Sequence, residues 1–199
     1  LGPETSTSTD VGVRQPLLDG RLLVEATWFE LEVEDLIAYD ATFVTPARPF
    51  GALRNVRRTR TRGTEWAVAW QAGEGVTVRG SYTRQDPEDL DTGLDLPNRA
   101  RSFGSVGVAW EDGPFAVSVD AFLSGRYHDQ GGEFTYPEPR ERRVPGRMQL
   151  VQLTGRWRAA EGLTLFARID NLLDDDHVAT PSAPAGPPLG VTVGAEWDF

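Results

Sequence analysis

Two histidines and no cysteine bound the side-chain chemistry open to this chain. His128 stands beside Asp129, and His177 follows Asp174-Asp175-Asp176, so each could be a base or metal ligand oriented by a carboxylate. Neither has a nucleophile or a second ligand at a useful spacing, and a solvated loop position is the plainer reading of both. Gly104-Ser105-Val106-Gly107 sets a serine between glycines, but within a strand pattern rather than on a strand-to-helix elbow. The absence of cysteine removes disulfides, thiolate zinc sites, iron–sulfur clusters and a thiol nucleophile. In Asp86-Pro87-Glu88-Asp89-Leu90-Asp91-Thr92-Gly93 the carboxylates are spaced to hold calcium, without the glutamate that closes a helix–loop–helix site. A solvated acidic loop is expected there, with weak cation binding as the alternative. Arg54, Arg57, Arg58, Arg60 and Arg62 form a basic run whose forked donors suit phosphate; plain solvated charge is the competing reading. No catalytic constellation emerges, and no enzymatic activity and no cofactor are expected.

The composition narrows the elements that could carry these groups. The 199 residues hold 20 basic side chains, all arginine, against 30 acidic ones, for a net charge of −10. That balance argues against nucleic acid as a partner. Six Trp, nine Phe and four Tyr are too many rings for a disordered chain. No apolar run approaches the roughly 18 residues that a helix needs to cross a bilayer.

Alternation is the dominant pattern. Phe115, Val117, Val119, Ala121 and Leu123 interleave with Ala116, Ser118, Asp120, Phe122 and Ser124, and Val191, Val193, Ala195, Trp197 and Phe199 interleave with polar or small residues. A period of two specifies strands with one apolar and one polar face. Nine are expected, over Thr9–Leu17, Arg21–Val33, Asn55–Trp70, Val76–Gln85, Arg101–Trp110, Phe115–His128, Met148–Arg158, Leu163–Asn171 and Leu189–Phe199, with a tenth around Ala41–Thr45 as a weaker alternative. Connections alternate strictly between short glycine-bearing turns and long loops, over 34–54, 86–100, 129–147 and 172–188. An up-and-down antiparallel sheet then collects all turns at one end and all loops at the other, as in an outer-membrane barrel. From Phe115 to Tyr127 one face carries a ring at each end and small apolar residues between. Trp70, Trp110, Trp157 and Trp197 all fall at the turn end, as an interfacial girdle would. A soluble β-sandwich alternates equally well and is the competing architecture.

Several segments resemble TonB-dependent outer-membrane receptors. Leu1-Gly2-Pro3-Glu4-Thr5-Ser6 with Asp10-Val11-Gly12 is similar to that family's L-x-P-E-x-S…E-x-G segment, and Trp28-Phe29 with Asp35-Leu36-Ile37 to its Y-F…D-L-I. Asn55-Val56, Arg62-Gly63-Thr64-Glu65, Leu96-Pro97-Asn98-Arg99 and Val144-Pro145-Gly146 recur in order. Asp170-Asn171-Leu172-Leu173-Asp174-Asp175-Asp176-His177 resembles x-N-L-F-D-x-x-Y, with Leu173 for the usual Phe and His177 for the usual Tyr. Phe199 stands where the family has a terminal aromatic.

The resemblance implies an all-β, antiparallel, up-and-down transmembrane β-barrel, of which residues 1–199 would supply about nine or ten C-terminal strands out of 22. The plug domain and N-terminal strands would lie outside the chain. It implies active transport of a scarce nutrient chelate, such as a ferric siderophore, haem or cobalamin, energised by the TonB complex acting on the plug. Glu65, Arg79, Asp120, Arg126, Arg168, Asp170 and Glu196 would face the lumen. Arg99, Arg101, Arg126, His128, Phe134 and Tyr136, at or beyond the loop end, are the ligand-binding candidates. Trp197 and Phe199 would belong to the signal read by the barrel-assembly machinery. Arg58, Arg60 and Arg62 would meet lipopolysaccharide phosphates above a lipid-facing band. A passive porin or barrel enzyme and a soluble β-sandwich binding module are the competing functions.

Overall fold

The computed structural model describes residues 1–40, 43–96, 99–125, 147–176 and 186–198. All regular structure among them is strand: β1 Thr5–Leu17, β2 Leu22–Asp40, β3 Ala52–Gly73, β4 Val76–Asp89, β5 Leu94–Asp95, β6 Ser102–Asp112, β7 Phe115–Ser124, β8 Met148–Ala160, β9 Leu163–Asp170 and β10 Gly190–Trp197. They form one sheet in the order β1-β2-β3-β4-β6-β7-β8-β9-β10, with β5 a short appendage on β4. Every neighbouring pair is antiparallel. The nine-strand meander read from alternation is therefore present, and among the described residues the sheet is open, with β1 and β10 at its edges. The additional strand is Leu94–Asp95; of the expected alternative Ala41–Thr45, residues 41 and 42 lie outside the described residues, and Thr45 makes an isolated bridge to Arg48.

Several boundaries differ from the sequence expectation: β1 begins at Thr5 rather than Thr9, β2 runs on to Asp40 rather than ending at Val33, and β3 spans Ala52–Gly73 rather than Asn55–Trp70. β4 runs on through Asp86, Pro87, Glu88 and Asp89, residues that look like a loop in isolation. Opposite them on β3 lie Arg62, Thr61, Arg60 and Thr59, so the acidic side chains meet arginines rather than one another. β7 ends at Ser124, although Gly125 still donates to the Ser102 carbonyl at 2.7 Å. The expected continuation through Tyr127 and His128 lies outside the described residues.

The turns show why their glycines are there. Glu74 and Gly75 both take positive φ, 46° and 78°, to reverse β3 into β4. A Cβ on Gly75 would also stand 1.9 Å from the Glu111 carbonyl oxygen, so this turn packs directly against the end of β6.

The register divides the sheet into two faces. On one face Ala26, Trp66 and Tyr82 align across β2–β4, and Val108, Val119, Leu153, Ile169 and Val191 across β6–β10. These rows are open: Trp66 is 52% exposed and Val191 65%. Among the described residues only Ala52 and Leu96 are buried hydrophobics. There is no second apolar layer among the described residues for the rows to meet, so the β-sandwich reading has no core to stand on. Along β7 the apolar face from Phe115 to Leu123 covers about 20 Å at a strand tilt near 40°.

Candidate functional site: the lumen-side face and the loop-end rim

The apolar face is bounded at both ends. At the turn end Trp70, Trp110, Phe115, Trp157 and Trp197 all lie on it and are all exposed. Phe115 and Trp157, directly opposed on β7 and β8, stack with ring centroids 6.2 Å apart. Rings suit the boundary between hydrocarbon and headgroups, with an apolar body and, for Trp, a polar N–H. At the loop end Trp28, Trp66 and Tyr82 stop the band on β2, β3 and β4, all exposed.

Immediately beyond these rings the same face becomes charged. Glu30, Arg62 and Asp86 form one row across β2, β3 and β4, and Glu32, Arg60 and Glu88 the next. Arg60 meets Glu88 at 2.8 Å, Arg62 meets Asp86 at 3.9 Å and Arg58 meets Asp91 at 3.3 Å. The expectation that Arg58, Arg60 and Arg62 share the face of Trp66 and Trp70 holds. Each guanidinium, however, already has a carboxylate partner, and the two rows together carry more acid than base. This is poor ground for direct capture of phosphate.

The same pairing accounts for the suspected calcium segment. Asp89, 4% exposed, accepts from the Asp91 and Thr92 amides at 3.0 and 3.1 Å and lies 3.5 Å from Arg57. Asp86, Glu88 and Asp91 each face an arginine. The segment is an aspartate-capped hairpin, with its carboxylates spent on backbone amides and arginines.

The opposite face is polar and concave. Glu65, Arg79, Asp120, Arg168, Asp170 and Glu196 all lie on it, as expected; Arg126 falls outside the described residues. Asp170 accepts from Arg168 at 2.8 Å and Gln152 at 3.1 Å, Arg156 donates to Glu196 at 2.8 Å, and the Ser81 and Ser105 hydroxyls meet at 2.9 Å. A concavity of about 920 Å³ opens here, lined among others by Arg79, Asp120, Phe122, Gln152, Arg168 and Asp170.

Of the ligand candidates, Arg99 and Arg101 are described. Both are exposed, in the connection from β5 to β6. Arg101 is clasped by Asp95 and lies 3.3 Å from Asp86. The Asp95 hydrogen bond raises its already high pKa, and its charge is balanced in place. Arg99 has no ion pair among the described residues. His128, Phe134 and Tyr136 lie outside the described residues, as does Phe199. Trp197 ends β10 opposite Leu163, 58% exposed.

The motif residues turn out to be backbone clamps. Asn171, 7% exposed at φ 49°, donates to the Asp175 and Pro187 carbonyls and accepts from the Asp175 amide. Asp175 accepts from the Gln149 amide at 2.6 Å and Asp174 from the Leu189 amide at 2.9 Å. One short acidic run thereby joins the loop ends of β8, β9 and β10. At the other edge Asn55 holds both backbone groups of Gly2 and donates to the Asp35 carbonyl, while Glu4 accepts from the Ile37 amide at 2.6 Å. Asp35 sits at positive φ in the bulge that re-registers β2 against β3. Sequence reasoning left these roles unassigned; the available signal was Asn or Asp where a strand pattern breaks.

Comparison with known proteins agrees with this architecture. The chain is 23% identical over its whole length to the ferripyoverdine receptor of Pseudomonas aeruginosa, covering 26% of it, and 27% identical over 99% of its length to the vitamin B12 transporter BtuB of Vibrio vulnificus, covering 29%. It thus spans less than a third of the length of these relatives. The crystal structure of the P. aeruginosa ferripyoverdine receptor bound to ferripyoverdine superposes with a TM-score of 0.80 over 100% of this chain and 28% of that one, at 22% identity. Residues 1–172 match the family model described as TonB dependent receptor-like, beta-barrel, and the chain belongs to that family.

Proposed function

We propose that this wall is part of an outer-membrane active-transport receptor for a scarce nutrient chelate of the ferric siderophore, haem or cobalamin class. One observation carries the reading: a single antiparallel sheet holds an exposed apolar band between aromatic girdles on one face and a charged, hydrogen-bonded concavity on the other. Such a wall separates lipid from a wet lumen. The named relatives, a receptor and a transporter, support the same assignment. In this reading the chain supplies C-terminal barrel strands, and the rest of the receptor supplies the plug through which TonB acts. TonB-driven displacement of the plug releases bound ligand inward, a shift between two conformations with no covalent step.

The partners follow from the same placement. Outer-membrane lipid covers the band. Lipopolysaccharide lies beside the charged rows at the loop end, with its phosphates kept off Arg58, Arg60 and Arg62 by the paired carboxylates. The barrel-assembly machinery reads the last strand through Trp197 and Phe199. Arg99 meets an anionic ligand at the rim, and Arg101 positions the β4–β5 hairpin beneath it.

Uptake of radiolabelled ferric siderophores, haem and cobalamin by cells carrying the full receptor tests the proposal. Uptake of one class is expected to disappear on deletion of TonB, and Arg99→Ala is expected to weaken binding of that ligand about tenfold, a loss of ~1.4 kcal/mol. Uptake that persists without TonB would replace the active receptor with a passive porin.

A further inference from the structure

Arg58, Arg60, Arg62 and Arg84 share the outer, band-bearing face at the loop end of β3 and β4. The first three hold carboxylates at 3.3, 2.8 and 3.9 Å. Arg84, which is exposed, has no hydrogen bond or ion pair to another described residue. Its level in the sheet is fixed by register. Val11, Trp28, Thr64, Arg84 and Ser102 stand side by side across β1, β2, β3, β4 and β6. The row below holds Trp66 and Tyr82, which close the apolar band, and the row above holds Glu30, Arg62 and Asp86. Arg84 therefore lies one side-chain repeat, about 7 Å along the strand, beyond the last ring of the girdle. In a lipid-facing wall that is the level of the headgroups.

A concavity of about 530 Å³ opens at this place, lined among others by Trp28, Arg62, Thr64, Tyr82, Arg84 and Arg101. Asp86 is the one carboxylate in its lining, against three arginines, and it is bracketed by Arg62 at 3.9 Å and Arg101 at 3.3 Å. Glu30 lies two strands away on β2. The site is thus locally basic, although the rows beyond it are not. Thr64 and Ser102 place a hydroxyl on either side of Arg84, each about 4.8 Å across the sheet. Thr64 accepts from Trp66 Nε1 at 3.4 Å, so its own O–H remains to donate. A free guanidinium fork between two hydroxyls suits a tetrahedral oxyanion, and the rings beneath suit the start of an acyl chain. We propose that Arg84, flanked by Thr64 and Ser102, is the wall's contact for a phosphate on the sugar headgroup of an outer-leaflet lipopolysaccharide. This rests on the outer-membrane reading above, and it assigns the phosphate to the arginine that the carboxylates leave free.

The test uses the full receptor folded in detergent, with heat-modifiable migration as the check on folding. It is titrated with lipid A carrying both phosphates and with the same lipid after their removal, and bound lipid is read by native mass spectrometry. Arg84→Ala is expected to weaken binding of the phosphorylated lipid about tenfold, equivalent to ~1.4 kcal/mol, and to leave the dephosphorylated lipid unaffected. Arg84→Lys keeps the charge without the fork and is expected to fall between Arg84→Ala and wild type. Arg58→Ala is expected to match wild type, because that guanidinium already holds Asp91. Wild-type affinity in Arg84→Ala overturns the proposal, and so does an equal loss for both lipids, which would mean a packing role. An equal loss in Arg58→Ala would return the contact to the whole arginine run. Displacement of the lipid by low-millimolar inorganic phosphate would make Arg84 a free-phosphate site and also overturns the assignment. A wild-type receptor that binds neither lipid removes the outer-membrane reading itself, whereas one that binds both equally removes the phosphate contact alone.

Discussion

Asn171 illustrates how one amide can hold an edge of the sheet. Its three side-chain hydrogen bonds run to Asp175 and Pro187, and its left-handed backbone is one that Asn tolerates better than most residues. Asn171→Ala loses all three bonds and keeps the unfavourable φ. At ~1 kcal/mol per bond and another ~1 for the backbone, destabilisation of roughly 3–4 kcal/mol is expected. Asn171→Asp retains the acceptor and the conformational tolerance and is expected to lose about half as much. Urea unfolding of the receptor in lipid vesicles, followed by tryptophan fluorescence, measures both. Equal midpoints for wild type and Asn171→Ala would show that the clamp is redundant. The arginine ladder follows a different logic. Exposed pairs such as Arg62 with Asp86 contribute roughly 0.2–1 kcal/mol each. Their alignment in acid–base–acid rows chiefly fixes register above the band, where no lipid can do so.

At the scale of the element, a strand's two faces face different solvents, and β7 shows the contrast in adjacent residues. Val119 is on the apolar face, 40% exposed, opposite Val108 and Leu153; Ser118 is on the lumen side, opposite Ala109 and Thr154. A charge at Val119 must enter hydrocarbon, whereas one at Ser118 stays wet. Val119→Arg is expected to cost ~2–4 kcal/mol and Ser118→Arg well under 1. The midpoints of urea unfolding in vesicles separate the two, and equal losses would mean that the band does not face lipid. Much of this was legible from sequence, because period-two alternation reports the two faces directly and the glycine turns mark the reversals. The limits of legibility are equally physical. Asp86–Asp89 reads as a loop because proline and three acids disfavour a strand in isolation. It becomes strand because Arg60 and Arg62 lie opposite, a cross-strand fact invisible along the chain. Parity places the described lumen charges, Glu65, Arg79, Asp120, Arg168, Asp170 and Glu196, on one face. Which were paired and which were not depended on neighbours far away in sequence, such as Arg156 and Glu196.

Among the described residues, the molecule as a whole is one sheet with both faces uncovered. Trp66, Val106, Val193 and Trp197 stand open on the apolar side, and soluble monomers rarely expose an extended contiguous apolar face. Among the described residues, β1 and β10 also leave unpaired backbone groups along two edges. Both features call for the same remedy, a lipid annulus around a barrel whose other strands close the edges, because an orphaned backbone group in hydrocarbon costs several kcal/mol. Residues 1–199 produced alone are therefore expected to sediment from aqueous buffer and to enter solution only with detergent. The intact receptor is expected to migrate as a compact, heat-modifiable species when unboiled. Analytical ultracentrifugation with near-UV circular dichroism decides the matter. A dispersed monomer in plain buffer with fixed aromatic signals would mean that the valine and tryptophan rows have found a protein partner within the chain, and the lipid-facing wall would have to be abandoned.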